Sequence, residues 1–132
     1  MNIVILQGRL VAVPTVRELA DGTMSWSFDL VTGTGTRVHA DGSTRQSTVS
    51  VPVTWQGDAT PQPWLANAEL ALAGIVRRRF FRTSGTTQSR TEVLALGICE
   101  ITKRRPRAKA FERVFSSLAA DELAALRFGT AS

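Results

Sequence analysis

The chain has 132 residues, 43% of them apolar, which suits one packed domain and is too hydrophobic for general disorder. Its single cysteine excludes a disulfide framework and a thiolate metal cluster, and no apolar run approaches the ~18 residues of a membrane span. The net charge of +5 is concentrated, because residues 77–109 hold 10 of the 16 basic side chains and only Glu92 and Glu100 oppose them. A solubilising face would mix both signs, so this distribution predicts a phosphate-binding surface.

In chain order, Ile3, Val4, Ile5 and Leu6 open a β-type run with apolar side chains on both faces, which predicts a strand covered on both sides. Gly8 predicts a bulge or sharp bend, residues 9–12 continue the strand, and Pro14 interrupts its ladder. Asp21-Gly22 is a turn signal. Residues 24–31 then alternate, with Met24, Trp26, Phe28 and Leu30 on one face and Ser25, Ser27 and Asp29 on the other. Residues 33–44 form a polar, Gly-rich loop or hairpin tip carrying Arg37 and His39.

A third strand over about 46–55 places Val49, Val51, Val53 and Trp55 on one side, and Pro52 marks an exposed edge. Residues 58–67 predict a short helical turn capped by Thr60, with Pro61 and Pro63 in its first turn and Asn67 as a left-handed stop. Trp64, in that segment, is expected to plug the barrel end. Residues 70–82 and 90–101 pair as a long hairpin around Gly85. Five strands with a short helix between the third and fourth is the layout of an all-β, Greek-key OB barrel over residues 1–102.

Residues 103–132 are a basic hinge, KRRPRAK, followed by an amphipathic helical tail. Phe111, Val114, Phe115, Leu118, Leu123 and Leu126 follow helical spacing, and Gly129 sits where a helix would stop. Docking on the barrel or self-association is the expected use of that apolar stripe, with a protein partner as the alternative. Cys99, within an apolar run, reads as a small buried hydrophobe.

The segment LALAGIVRRRFFR at 70–82 carries the chemistry. Phe81 has the parity of Arg77 and Arg79, opposite to Leu70, Leu72 and Val76, so it faces out among guanidinium groups. Exposed rings among cations suit a polyanion with flat bases, which is single-stranded nucleic acid. Phe80 has core parity and is expected inside unless strand twist rotates it out, in which case it joins Phe81 and Trp55 as a candidate DNA-binding ring. Arg9, Arg37, Arg45, Arg77, Arg79, Arg82 and Arg90 are the candidate phosphate contacts. Trp26 reads as core. The one histidine, His39, has no metal-ligating or catalytic partners, and Gly33-Thr34-Gly35-Thr36 lacks the lysine and helix of a phosphate-binding P-loop. No enzyme, metal or cofactor is therefore expected.

The residues N-x-V-x-L-x-G-x-L from Asn2, then Pro14, Arg17, a Gly turn and Phe28-x-Leu30-x-Thr32, resemble the bacterial single-stranded DNA-binding (SSB) proteins. Leu72-x-Gly74, the arginine run, Gly85 and Thr91-Glu92-Val93 extend the resemblance to about residue 102. It implies an OB fold that binds single-stranded DNA, usually as a homotetramer whose dimers pair through the first strand, with roles in DNA replication, recombination or repair. It also makes Trp55 a ring of the binding face, whereas parity with Val49, Val51 and Val53 makes it core; both readings stand.

Two departures accompany the resemblance. Non-aromatic residues stand near Thr36 and at Val49, where the family places stacking platforms, and the chain ends in RFGTAS in place of an acidic tip. These departures favour a specialised paralogue or a mobile-element version. The rival expectations are an OB-fold protein-interaction module of primosome-accessory type and preferential RNA binding. With no leader segment in view, a cytoplasmic, nucleoid-associated protein without membrane contact is expected.

Overall fold

Six strand segments follow in order: β1 (Val4–Leu10), β2 (Thr15–Glu18), β3 (Met24–Val38), β4 (Thr44–Gly57), β5 (Glu69–Thr83) and β6 (Thr86–Ile101). One helix, α1 (Arg107–Arg127), follows them. This computed structural model describes residues 2–57 and 64–127, with the side chains of residues 34–37, 46, 47, 57 and 119–127 outside the description.

The expected first strand is broken in two. β1 pairs antiparallel with β5 from Val4↔Gly74 to Arg9↔Glu69, and its last residues turn onto β3 at Arg9↔Val31 and Leu10↔Leu30. That crossing brings backbones so close that a Cβ on Gly8 would stand 2.5 Å from the Val31 carbonyl oxygen. Pro14 lies buried in the break, and β2 then continues along β3 from Thr15↔Ser27 to Glu18↔Met24. β1 and β2 thus act as one bent strand. With the antiparallel β3–β4 and β5–β6 pairs and a parallel β4–β6 contact, they close a five-sided barrel. The β4–β6 pairing starts at Val53↔Val93, immediately after Pro52, which has no N–H to give it.

Two hairpins turn on the same local device. Asp21 Oδ1 accepts from the Thr23 amide at 3.0 Å and the Thr23 hydroxyl at 2.6 Å, while Asp41 accepts from the Ser43 amide at 2.9 Å and hydroxyl at 2.6 Å. Gly22 and Gly42 take the positive φ values of 89° and 85° that each turn requires. Between them the β3–β4 ladder runs out to Val38↔Thr44, with an irregularity at Gly33/Gly35. Of the expected loop or hairpin tip, the hairpin is what forms: two strands run on beyond their apolar alternation.

Leu10, Phe28, Leu30, Val53, Leu70, Leu72 and Val93 fill the barrel. Trp64 closes one end as expected, its ring 5.9 Å from Phe28 in an edge-on contact and 6.0 Å from Trp55. The expected helix over 58–67 falls largely on residues 58–63, outside the described residues; residues 64–67 carry a turn and no helix. Asn67 does take the left-handed conformation, φ 71°, and its amide donates to the Leu10 carbonyl at 3.0 Å.

Both faces of β5 are covered near its start. Leu70 and Leu72 point into the barrel, whereas Ala71 and Ala73, with Cys99 of β6, receive Ala110 and Val114 of α1. Small side chains let the helix approach: a Cβ on Gly97 would lie 3.1 Å from the Val114 carbonyl oxygen. The tail thus docks on the barrel. By contrast, the expectation that both faces of β1 are covered fails, because Ile3 and Ile5 are exposed on its outer side. Among the described residues no helix is long and apolar enough to cross a membrane.

Candidate nucleic-acid interface

The β5–β6 ribbon emerges from beneath α1 at a bulge. Ala73 pairs with Gly97 but Gly74 pairs with Ala95, leaving Leu96 over. A Cβ on Gly74 would collide with the Leu94 carbonyl oxygen, so glycine is required for this approach. Bulges add local twist and re-aim the strand beyond them. Past this one, strand alternation puts Arg77, Arg79 and Phe81 on the outer face, paired in register with Glu92, Arg90 and Gln88 of β6.

The same alternation sends Ser25, Ser27 and Asp29 of β3 and Thr54 of β4 to that outer face. One cleft of about 280 Å³ has a polar side of Thr15, Ser27, Asp29, Thr54, Arg79, Arg90 and Glu92 and an apolar side of Val11, Ala12, Val13, Phe28, Pro52 and Val53. A second is lined by Arg17, Ser25, Thr54, Gln56, Arg77, Arg78 and Arg79. The two adjoin at Thr54 and Arg79, and together they make a groove across the sheet with arginines along its polar side.

Two carboxylates temper that charge. Glu92, only 5% exposed, accepts from Arg77 Nε at 2.9 Å and from the Thr54 hydroxyl at 2.8 Å. A carboxylate this buried requires such partners, and it pins the Arg77 side chain in return. Asp29 and Arg90 meet at 3.5 Å with both side chains about half exposed, a weak and screened pair. Among the described residues no carboxylate lies within ion-pair distance of Arg17, Arg78, Arg79 or Arg82.

The expected site residues separate into three sets. Arg77, Arg79 and Arg90 converge in the groove, with Phe81 on the same face of the ribbon at 37% exposure. Arg82 and Phe80 lie on the opposite face of the projecting arm, and Phe80 is 66% exposed. Its expected core position is corrected: parity predicts burial only where a core lies beneath, and the ribbon has left the barrel by Phe80. Arg45 is exposed near the tip of the β3–β4 arm opposite Arg37, whose side chain lies outside the described residues.

Arg9 and Trp55 stand apart. Arg9 sits on the outer side of β1 opposite Val31 and Glu69, and does not line the groove. Trp55 is half-buried: it packs against the barrel core and Trp64, as its parity with Val53 predicts, and it also lines a concavity with Arg105 and Arg113, away from the groove. Val49, on the same side, is exposed in the arm. Sequence reasoning missed Arg17 and Arg78 as groove residues. The signal for Arg17 was present in Ser25, its polar partner across β2–β3. Among the described residues no cluster of three histidine, cysteine or acidic side chains could hold a metal ion.

A closed five-sided barrel of this connectivity, with one C-terminal helix, is an OB fold of the type found in single-stranded DNA-binding proteins. The chain is similar to a deletion mutant of the Thermus aquaticus single-stranded DNA-binding protein, with a TM-score of 0.63 and 20% identity over 80% of this chain. It spans 53% of that protein's length. It is also similar to the Plasmodium falciparum SSB in complex with ssDNA, with a TM-score of 0.63 and 14% identity over 77% of this chain and 96% of that one. At these identities the likeness is one of fold. No family model matches the sequence, and no curated protein matches it.

Proposed function

We propose that the protein binds single-stranded DNA without sequence preference, in the service of replication, recombination or repair. The observation that carries this reading is the groove itself: Arg17, Arg77, Arg79 and Arg90 converge on one outer sheet face, beside the half-exposed ring of Phe81. Arginine supplies bidentate phosphate contacts and the ring supplies a stacking surface. Arg37, Arg45 and Arg82, out on the two projecting arms, would extend the phosphate path on either side. Fold similarity to an SSB in complex with ssDNA supports the same assignment.

Self-association accompanies this reading. β1 is paired with β5 on one edge, and over Val4–Gly8 its other edge is open among the described residues, next to exposed Ile3 and Ile5. An open edge with apolar side chains is a template for a second copy.

The test is a titration of oligo-dT at graded salt. Log affinity should fall linearly with log salt, and Phe81→Ala should weaken binding by roughly 1–3 kcal/mol while leaving the thermal midpoint in place. A duplex competitor should displace the oligonucleotide poorly. Affinity that ignores salt, or equal preference for duplex, would overturn the reading.

A further inference from the structure

A second cationic surface lies away from the groove. Lys103, Arg104, Arg105, Arg107, Lys109 and Arg113 fall within residues 103–113, opposed there only by Glu112. Among the described residues no carboxylate lies within ion-pair distance of any of the six. The patch is also built on ordered backbone. Thr102 and Arg105 exchange amide-to-carbonyl bonds at 2.9 and 3.1 Å, and Arg105 Nη1 donates to the buried Cys99 sulfur at 3.6 Å. Arg104, Arg105, Lys109 and Arg113 then line one open concavity with Thr102, Ser116 and a single carboxylate, Glu112.

Apart from Arg105, which is bonded to Cys99, these charges sit unfavourably for the helix. The first turn of α1 holds no acid, so Arg107 and Lys109 sit where the helix dipole already disfavours cations. Lys109 and Arg113 form a like-charge pair four residues apart, which destabilises a helix. An unfavourable cluster held on a rigid turn is relieved by a bound anion.

We propose that this patch is a second phosphate-binding surface, occupied by the same DNA strand after it leaves the groove; the proposal rests on the groove reading above. From Glu92 in the groove, nine further residues of β6 lead to its end at Ile101 beside the patch, one of them the bulged Leu96, so the path is at most about 30 Å at ~3.3 Å per residue. About nine nucleotides span that distance at the ~3.4 Å rise of a stacked strand. A strand already tethered in the groove reaches the patch at high effective concentration, whereas an acidic protein or a lipid surface must arrive independently.

The experiment compares dT8 with dT30 on the full chain and on the variant Arg104→Gln, Lys109→Gln, Arg113→Gln. All three side chains are exposed, so the thermal midpoint should hold. For dT30 the slope of log affinity against log salt should become shallower by about 2, three phosphates at ~0.7 each, and affinity should fall at least about tenfold at low salt. Affinity for dT8 should not change. Arg104→Lys with Arg113→Lys, which keeps the charge, should retain the wild-type slope.

An unchanged dT30 slope, or an equal loss on dT8 and dT30, overturns the proposal and leaves the groove reading standing. So does loss of poly-glutamate binding with dT30 binding intact, which would assign the patch to an acidic protein. If the wild type binds neither oligonucleotide, the groove reading itself fails.

Discussion

Arginine identity decides less in this groove than arginine pairing. Arg77 is held by a carboxylate buried beneath it, and Arg90 is drawn toward Asp29. Arg17 and Arg79 reach the same space without a carboxylate partner among the described residues. On the proposed reading, phosphate competes with Asp29 for Arg90, and the weak, solvated pair is the one that can yield. Asp29→Asn should tighten dT8 binding about twofold to fivefold at low salt, the equivalent of about 0.4–1 kcal/mol for an exposed pair. Isothermal titration would read it, and unchanged or weaker binding would mean that Arg90 does not face the DNA. At this scale the sequence was legible for Phe81, because alternation from Leu70 onward survives on β5. It was not legible for Phe80, because parity states a face and not whether a core lies behind it.

At the scale of elements, the strands declared themselves where apolar and polar residues alternate, and disappeared where they do not. The arm formed by residues 33–44 reads as a loop because its strand residues have no core to face. Its turn chemistry was nonetheless written in the sequence, as Ala-Asp-Gly-Thr at 20–23 and Ala-Asp-Gly-Ser at 40–43. The Thr23 and Ser43 hydroxyl and amide bonds hold the carboxyls of Asp21 and Asp41 below the ordinary value of 3.8. With a depressed folded pKa, each carboxylate stabilises its turn fully above about 3.8 and loses that effect as the pH falls through the lowered value. The amide NMR shifts of Thr23 and Ser43 should move with midpoints below 3.8, and a midpoint at or above it would dissolve the shared-turn account.

The docked helix makes a separate prediction at this scale. Cys99 is buried beneath α1 beside Val114. Val114→Asp places a charge in that seam, so Cys99 should react with a thiol reagent at least about tenfold faster, an opening shift of about 1.4 kcal/mol. Wild-type and variant rates that match would mean that the helix is not what shields the thiol. The amphipathic pattern of residues 111–118 predicted a helix that docks or self-associates, but only the small residues Ala71, Ala73 and Gly97 reveal that it docks and where it lands.

For the whole molecule, the barrel leaves one side unfinished. Ile3 and Ile5 are exposed beside the open edge of β1, and an apolar open edge favours strand addition by a second copy. Light scattering should give a mass that is a multiple of 14.3 kDa, and Ile5→Lys should reduce it to the single-chain value. A wild-type mass of one chain would refute the association. The sequence displayed this surface as an apolar run on both faces, which without a partner in view reads as ordinary core. The barrel's closure was less legible, because it depends on a break at residues 11–14 that lets one strand serve two neighbours.

The placement of the three tryptophans also determines how this protein must be watched. Trp26 and Trp64 are buried and Trp55 leans on the core, so none of the indoles faces the groove. Intrinsic fluorescence will therefore report melting of the barrel faithfully while remaining almost silent as a strand fills the groove. An optical binding curve needs a dye on the oligonucleotide.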